Sequence, residues 1–211
     1  MRSTHITYLF DPLCGWCYGA AVALKQLSAV PGVTLALAPS GLFAGPGARP
    51  MDAALAAYAW SNDERIERLT GQRFTALYRQ QILQAPTRFD SGPATLALTA
   101  VARCAPQQEL AALSAIQTAR YVDGRDTAAA DVLADILQGQ GLQAAATEFL
   151  QASPVLVQAC TQRLQAAHAL MHRHGVQGVP ALVLRDTQGE RLLRGNLLYG
   201  DTRSLLQQVQ G

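Results

Sequence analysis

The run Asp11-Pro12-Leu13-Cys14-Gly15-Trp16-Cys17-Tyr18-Gly19 sets two cysteines three apart just behind a chain breaker. Ahead of it, His5-Ile6-Thr7-Tyr8-Leu9-Phe10 is β-branched and aromatic and reads as a strand that Asp11-Pro12 ends. A helix then starts near Cys14 and carries Val22, Leu24 and Leu27 among alanines until Pro31-Gly32 closes it. Cys14 therefore falls at a helix N-terminus, where unpaired N–H groups and the helix dipole favour a thiolate. Cys17 lies one turn deeper on the same face. From there it can attack a mixed disulfide formed on Cys14, so the pair suits exchange without metal or cofactor.

Working outward, Val33 to Ala38 alternates as a second strand, and a Gly- and Pro-rich loop runs from Ser40 to Pro50. The stretch that follows is rich in Ala, Leu, Gln and Arg. It predicts helices near 51–60, 62–70, 73–83, 92–104, 107–121, 126–138, 141–151 and 154–174. Ser153-Pro154 suits the start of the last of these and Gly175 its end. Ala181 to Leu184 and Arg191 to Arg194 then flank Asp186-Thr187-Gln188-Gly189, a hairpin signature. A final helix from Asp201 to Gln210 has an acidic start and Leu205, Leu206 and Val209 on one side. The first and last parts are expected to build one small sheet around a helical insertion.

Composition fits this picture. With 211 residues, 49% of them hydrophobic, the chain can bury a full core without staples. Four cysteines are too few for a disulfide scaffold. A formal charge of +2 spread over scattered basic and acidic residues points away from nucleic acid. No stretch approaches the roughly 18 apolar residues of a membrane helix. Met1-Arg2-Ser3-Thr4-His5 leads at once into a strand with no secretory leader, so the expected location is the cytoplasm.

Taken alone, a C-x-x-C pair also suits half of a zinc site or two structural thiols. Its place between strand and helix favours redox chemistry, and a metal would need two more ligands, whereas Cys104 and Cys160 stand singly in helices. The second element is Gly178-Val179-Pro180, directly before the strand at Ala181. A proline there is either edge punctuation or a cis peptide built into a site.

Cys14-Gly15-Trp16-Cys17 after a strand, the helical insertion, and Gly175-Val176-Gln177-Gly178-Val179-Pro180 before a hairpin together resemble the DsbA family of thioredoxin-fold proteins, most closely its FrnE-like branch. The resemblance covers essentially the whole chain. It implies an α/β thioredoxin-like fold with a large all-helical insertion between the βαβ and ββα halves: a thioredoxin-like domain from 1–50 and 175–211, and an insertion from 51–174. It also implies that Cys14 is the exposed nucleophile, Cys17 the buried resolving thiol and Pro180 a cis-proline packed against them, with the Val179 backbone offered to a bound polypeptide. The partners so implied are polypeptide or small-molecule disulfides and thiols, glutathione among them, with no cofactor.

Exported members of that family carry a signal peptide and often proline-histidine between the cysteines. Gly15-Trp16 supplies no such charge, so a less oxidising pair of reductase or isomerase type is expected. A rival reading is a glutathione-dependent transferase or isomerase of the kappa or hydroxychromene-carboxylate type, which shares the architecture but lacks the second cysteine. A third is a non-catalytic polypeptide-binding module.

Other residues read more plainly. His168 and His172 share a helix face without a third ligand and suit a solvated surface, while His174 suits the last helical turn. Cys104 and Cys160 read as small core hydrophobes. Trp16, Tyr18, Phe43, Tyr58 and Trp60 are candidates for an apolar groove, with Trp16 the one expected to face substrate. Asp11 reads as a turn cap and, second, as a proton acceptor.

Overall fold

The structure, a computed structural model, describes residues 4–199 and 202–210. The Met1-Arg2-Ser3 start and the acidic Asp201 start of the last helix lie outside the described residues. Strand β1 (Thr4–Phe10) leads into a short helix α1 (Gly15–Gly19), helix α2 (Ala21–Ser28) and strand β2 (Val33–Pro39). The middle of the chain holds β3 (Arg49–Pro50), α3 (Ala53–Thr70), α4 (Ala76–Tyr78), β4 (Arg88–Phe89), α5 (Gly92–Cys104), α6 (Glu109–Tyr121), α7 (Ala130–Gly139), α8 (Gln143–Gln151) and α9 (Pro154–Arg173). Strands β5 (Ala181–Asp186) and β6 (Gly189–Leu193) and helix α10 (Arg203–Gln210) complete it.

The four-stranded sheet runs β2-β1-β5-β6, with β1 parallel to β2 and antiparallel to β5. Its strands come only from the two ends of the chain. β1 is central, so its side chains are covered on both faces: Ile6, Tyr8, Leu9 and Phe10 are fully buried. The hairpin closes with Asp186 opposite Gly189. Leu205 and Val209 of α10 are buried, Leu206 partly so, as their spacing predicts.

Four expectations needed correction. The helix after the cysteines is split at Ala20 into α1 and α2, and Gly19 at the end of α1 packs so closely on α3 that a Cβ there would meet Ile66 Cγ2 at 2.7 Å. The predicted helices at 51–60 and 62–70 are one, α3, capped by Asp52 and ended by Gly71 at φ 74°. Ser61-Asn62 does not break it, since the Asn62 amide donates to the Tyr58 carbonyl at 2.9 Å. The segment 73–83 is a short helical turn running into a π-turn at Arg79–Leu83. The middle block is also not purely helical, because the two-residue strands β3 and β4 pair within it. Among the described residues no helix is long and apolar enough to cross a membrane.

Candidate active site

Strand β1 ends at Phe10 and the next four residues turn the chain into α1, which sets Cys14 as the N-cap of that helix with extended backbone. The Tyr18 N–H bonds the Cys14 carbonyl at 3.0 Å. Both cysteines are free thiols. Cys14 is 7% exposed and Cys17 1%, so the outer thiol is less open than the resemblance implies while the order of access is as expected. The Cys14 thiol faces the Val179 carbonyl, with Sγ to O at 3.7 Å, and the Val179–Pro180 peptide is cis. The expected neighbours from opposite ends of the chain thus meet.

Burial pushes the Cys17 thiol well up, and the adjacent Cys14 adds to this; the Asp11 backbone N–H, which favours the anion, is outweighed. Tyr8 lies under the same pair and donates to the Cys17 carbonyl at 3.1 Å. Its phenol is pushed up by burial and then by the two thiols. Tyr199 closes another side. Its hydroxyl donates to the Trp16 carbonyl at 3.2 Å, its ring meets Trp16 edge-on at 5.2 Å, and burial followed by the two thiols raises its pKa.

Asp11 is fully buried and ties three segments together. It accepts from the Leu13 N–H at 2.9 Å, the Phe43 N–H at 3.1 Å and the Ser91 hydroxyl at 2.7 Å. The turn cap is therefore real, and it also anchors the loop after β2 and the start of α5. Burial still outweighs these bonds and raises its pKa.

The insertion supplies a second buried group. Asp63 of α3 accepts from the Tyr78 hydroxyl at 3.0 Å, and its other oxygen would lie 2.6 Å from a Cβ on Gly15. Burial pushes Asp63 up to about 7, against the downward pull of the Tyr78 bond and of Arg120. Arg120 is fully buried, and none of its guanidinium nitrogens meets an acceptor among the described residues. It sits 5.6 Å from the Phe89 ring centre, with Tyr78 and Tyr121 beside it. The Tyr121 hydroxyl donates to the Leu13 carbonyl at 2.7 Å, one residue before Cys14.

Of the five aromatics considered for a groove, Trp16 lies half-buried between the two cysteines, edge-on to Tyr199. Tyr18 stacks on Tyr121 at 4.8 Å and is buried, and Phe43 packs on Phe89. Tyr58 is exposed, and Trp60 lies under Arg79 at 4.7 Å. Cys160 is buried as expected, but Cys104 is exposed and donates to Glu148 at 3.0 Å, which corrects its assignment to the core. His168 lies on the exposed helix face with its ring on the Ser40 carbonyl at 2.7 Å, and His174 pairs with Glu190 at 2.8 Å. Sequence reasoning passed over Tyr8, Asp63, Arg120, Tyr121 and Tyr199. A tyrosine inside a buried strand and ionisable residues on apolar helix faces were the available signals.

A family model of the DSBA-like thioredoxin domain matches residues 5–204. The cytosolic disulfide reductase DsbM from Pseudomonas aeruginosa is 31% identical, with 97% of each chain covered and a TM-score of 0.86. Its structure with GSH aligns at 30% identity, TM-score 0.85, over 98% of this chain and 100% of that one. A Nitrosomonas europaea protein with a provisional protein disulfide isomerase name is 24% identical, with 98% of each chain covered and a TM-score of 0.73, and shows the fold alone. No curated sequence matches significantly.

Proposed function

This chain belongs to the DSBA-like thioredoxin domain family and is a thiol-disulfide oxidoreductase, and on that premise we propose that it works as a cytoplasmic disulfide reductase or isomerase supplied with electrons by glutathione. The observation that carries the reading is the meeting of Cys14, Cys17 and the Val179–Pro180 step at one helix start. The likeness to a protein named as a cytosolic disulfide reductase, and solved with GSH, supports the direction and the electron source. In this reading the FrnE-like branch remains the assignment within the family. Segments 1–50 and 175–211 form the thioredoxin-like domain and 51–174 the insertion, since the four-stranded sheet draws only on strands outside it.

The Cys14 thiolate attacks a substrate disulfide, forming a mixed disulfide and releasing one substrate thiol. Trp16 flanks the bound substrate, and the Val179 and Pro180 backbone receives it as an added strand. Cys17 then attacks Cys14 Sγ, giving up its proton as the second substrate thiol leaves and takes one. Two electrons have passed to the substrate and Cys14–Cys17 is a disulfide. One glutathione thiolate reopens it at Cys14, Cys17 leaving as thiolate and gaining a proton. A second glutathione attacks the glutathione sulfur, and oxidised glutathione departs.

Cys17 also separates this reading from the glutathione transferase and isomerase rival. A Cys17→Ser variant keeps turnover in such an enzyme and loses dithiol turnover here. Equilibration of the Cys14–Cys17 couple against glutathione buffers tests the direction: the expected potential lies between about −180 and −270 mV. A value near about −120 mV, that of a strong oxidant, would overturn the proposal.

A further inference from the structure

Arg65 stands on the exposed side of α3 with its guanidinium 5.6 Å from the centre of the Trp16 ring. Six other arginines, Arg88, Arg103, Arg125, Arg163, Arg173 and Arg191, pair with carboxylates of this chain. Among the described residues Arg65 pairs with none. It is held instead by an aromatic face, which steadies the charge without neutralising it and leaves the N–H edge of the guanidinium open to a planar acceptor. The location gives this meaning. Trp16 sits between the two cysteines, its carbonyl is held by Tyr199, and α3 packs so tightly on α1 that Asp63 and Ile66 would both meet a Cβ on Gly15. The backbone segments that carry Trp16 and Arg65 are therefore set next to the cysteine motif by the fold rather than by a loop.

We propose that Arg65 is a specificity-determining residue of this site, engaging a carboxylate of an anionic thiol peptide whose sulfur reacts at Cys14. The inference rests on the proposed function and deepens it. A guanidinium beside a thiol site selects peptides carrying a carboxylate near the reacting cysteine, of which glutathione is the simplest probe. A neutral monothiol has nothing for it to hold.

The experiment uses the full chain with Cys14–Cys17 oxidised. Rate constants for its reduction by glutathione and by 2-mercaptoethanol are measured in the wild type and in Arg65→Glu, Arg65→Gln and Arg65→Lys. The site is exposed, so a single charge contact is worth about two- to fivefold, and charge reversal more. Arg65→Glu is expected to slow glutathione at least about fivefold while leaving 2-mercaptoethanol within about twofold. Arg65→Lys should retain most of the glutathione rate, and the gap between thiols should narrow at high salt. An equal fall with both thiols, or no fall with glutathione, would overturn the proposal. If neither thiol reduces the wild-type disulfide, the site assignment itself fails, a result distinct from any loss of selectivity. Melting temperatures matching the wild type confirm that the variants fold.

Discussion

An oxygen of Asp63 occupies the place where a side chain at Gly15 would begin: a Cβ there would stand 2.6 Å from Asp63 Oδ1 and 3.2 Å from Ile66 Cδ1. The glycine between the cysteines is thus required by a helix of the insertion. Gly15→Ala should destabilise the protein by about 1–3 kcal/mol through overpacking, despite the better helix propensity of alanine. Because Asp63 is the closer obstacle, the same substitution in an Asp63→Ala background should cost less. Denaturant unfolding of the four proteins measures the coupling.

Asp63 also makes stability depend on pH. Its pKa rises from 3.8 to about 7 on folding, so the folded chain keeps a proton that the unfolded chain loses between those values. The contribution is complete below the unfolded value and is lost as pH rises through about 7. The slope is up to about 1.4 kcal/mol per pH unit. Asp11 and Glu109 shift in the same direction for the same reason, burial, and add to the slope. Asp63→Asn should remove the Asp63 share of this slope up to about pH 7 and leave the share of Asp11 and Glu109, as read by urea unfolding from pH 5 to 8.

Arg120 lowers both Asp11 and Asp63. Replacing it with Met removes a buried charge that has no hydrogen-bond acceptor among the described residues, so near pH 5, where Asp63 is protonated, stability should change little or rise. The Asp63 midpoint should move above that of the wild type, which would make Arg120→Met lose stability at pH 8. A midpoint unchanged or lowered would show that Arg120 does not act on Asp63.

The two thiols should differ in labelling. In a Cys104→Ser background, which removes the exposed thiol, iodoacetamide at pH 6 is expected to modify Cys14 and spare Cys17, whose thiol is enclosed and held protonated. Cys17→Ser should accumulate long-lived mixed disulfides on Cys14, visible by non-reducing electrophoresis. Equal labelling of both positions would contradict the assigned roles.

Much of this was legible from local pattern. The breaker Asp11-Pro12, the cysteine spacing and the hairpin residues act within a few positions of themselves, so strand, motif and hairpin could be placed from sequence. Elements whose form depends on distant packing could not. α3 is continuous because Asn62 bonds back along it and Asp63 finds a buried partner in Tyr78, and neither event shows in the local composition. The ribbon of β3 and β4 spans two residues per strand, too short for any periodicity. Cys104 shares the apolar spacing of α5 yet ends it in solvent, since periodicity does not reveal where a neighbouring helix stops. The site showed the same division. Cys14, Cys17, Trp16 and the Val179–Pro180 step came from motifs, whereas Tyr8, Asp63, Arg120, Tyr121 and Tyr199 reach it only through the tertiary fold.

Leu13 and Tyr121 are 108 residues apart and joined by one hydrogen bond. With Asp63 against Gly15 and Ser91 on Asp11, this gives the cysteine turn three attachments to the helical block. Grafting Cys-Gly-Trp-Cys onto a bare sheet-and-helix scaffold, or trimming this chain down to one, would carry over the motif and discard its surroundings. Related chains could keep the four letters of the motif unchanged and still diverge in redox behaviour, by substitutions at helical positions behind the motif that never touch a substrate.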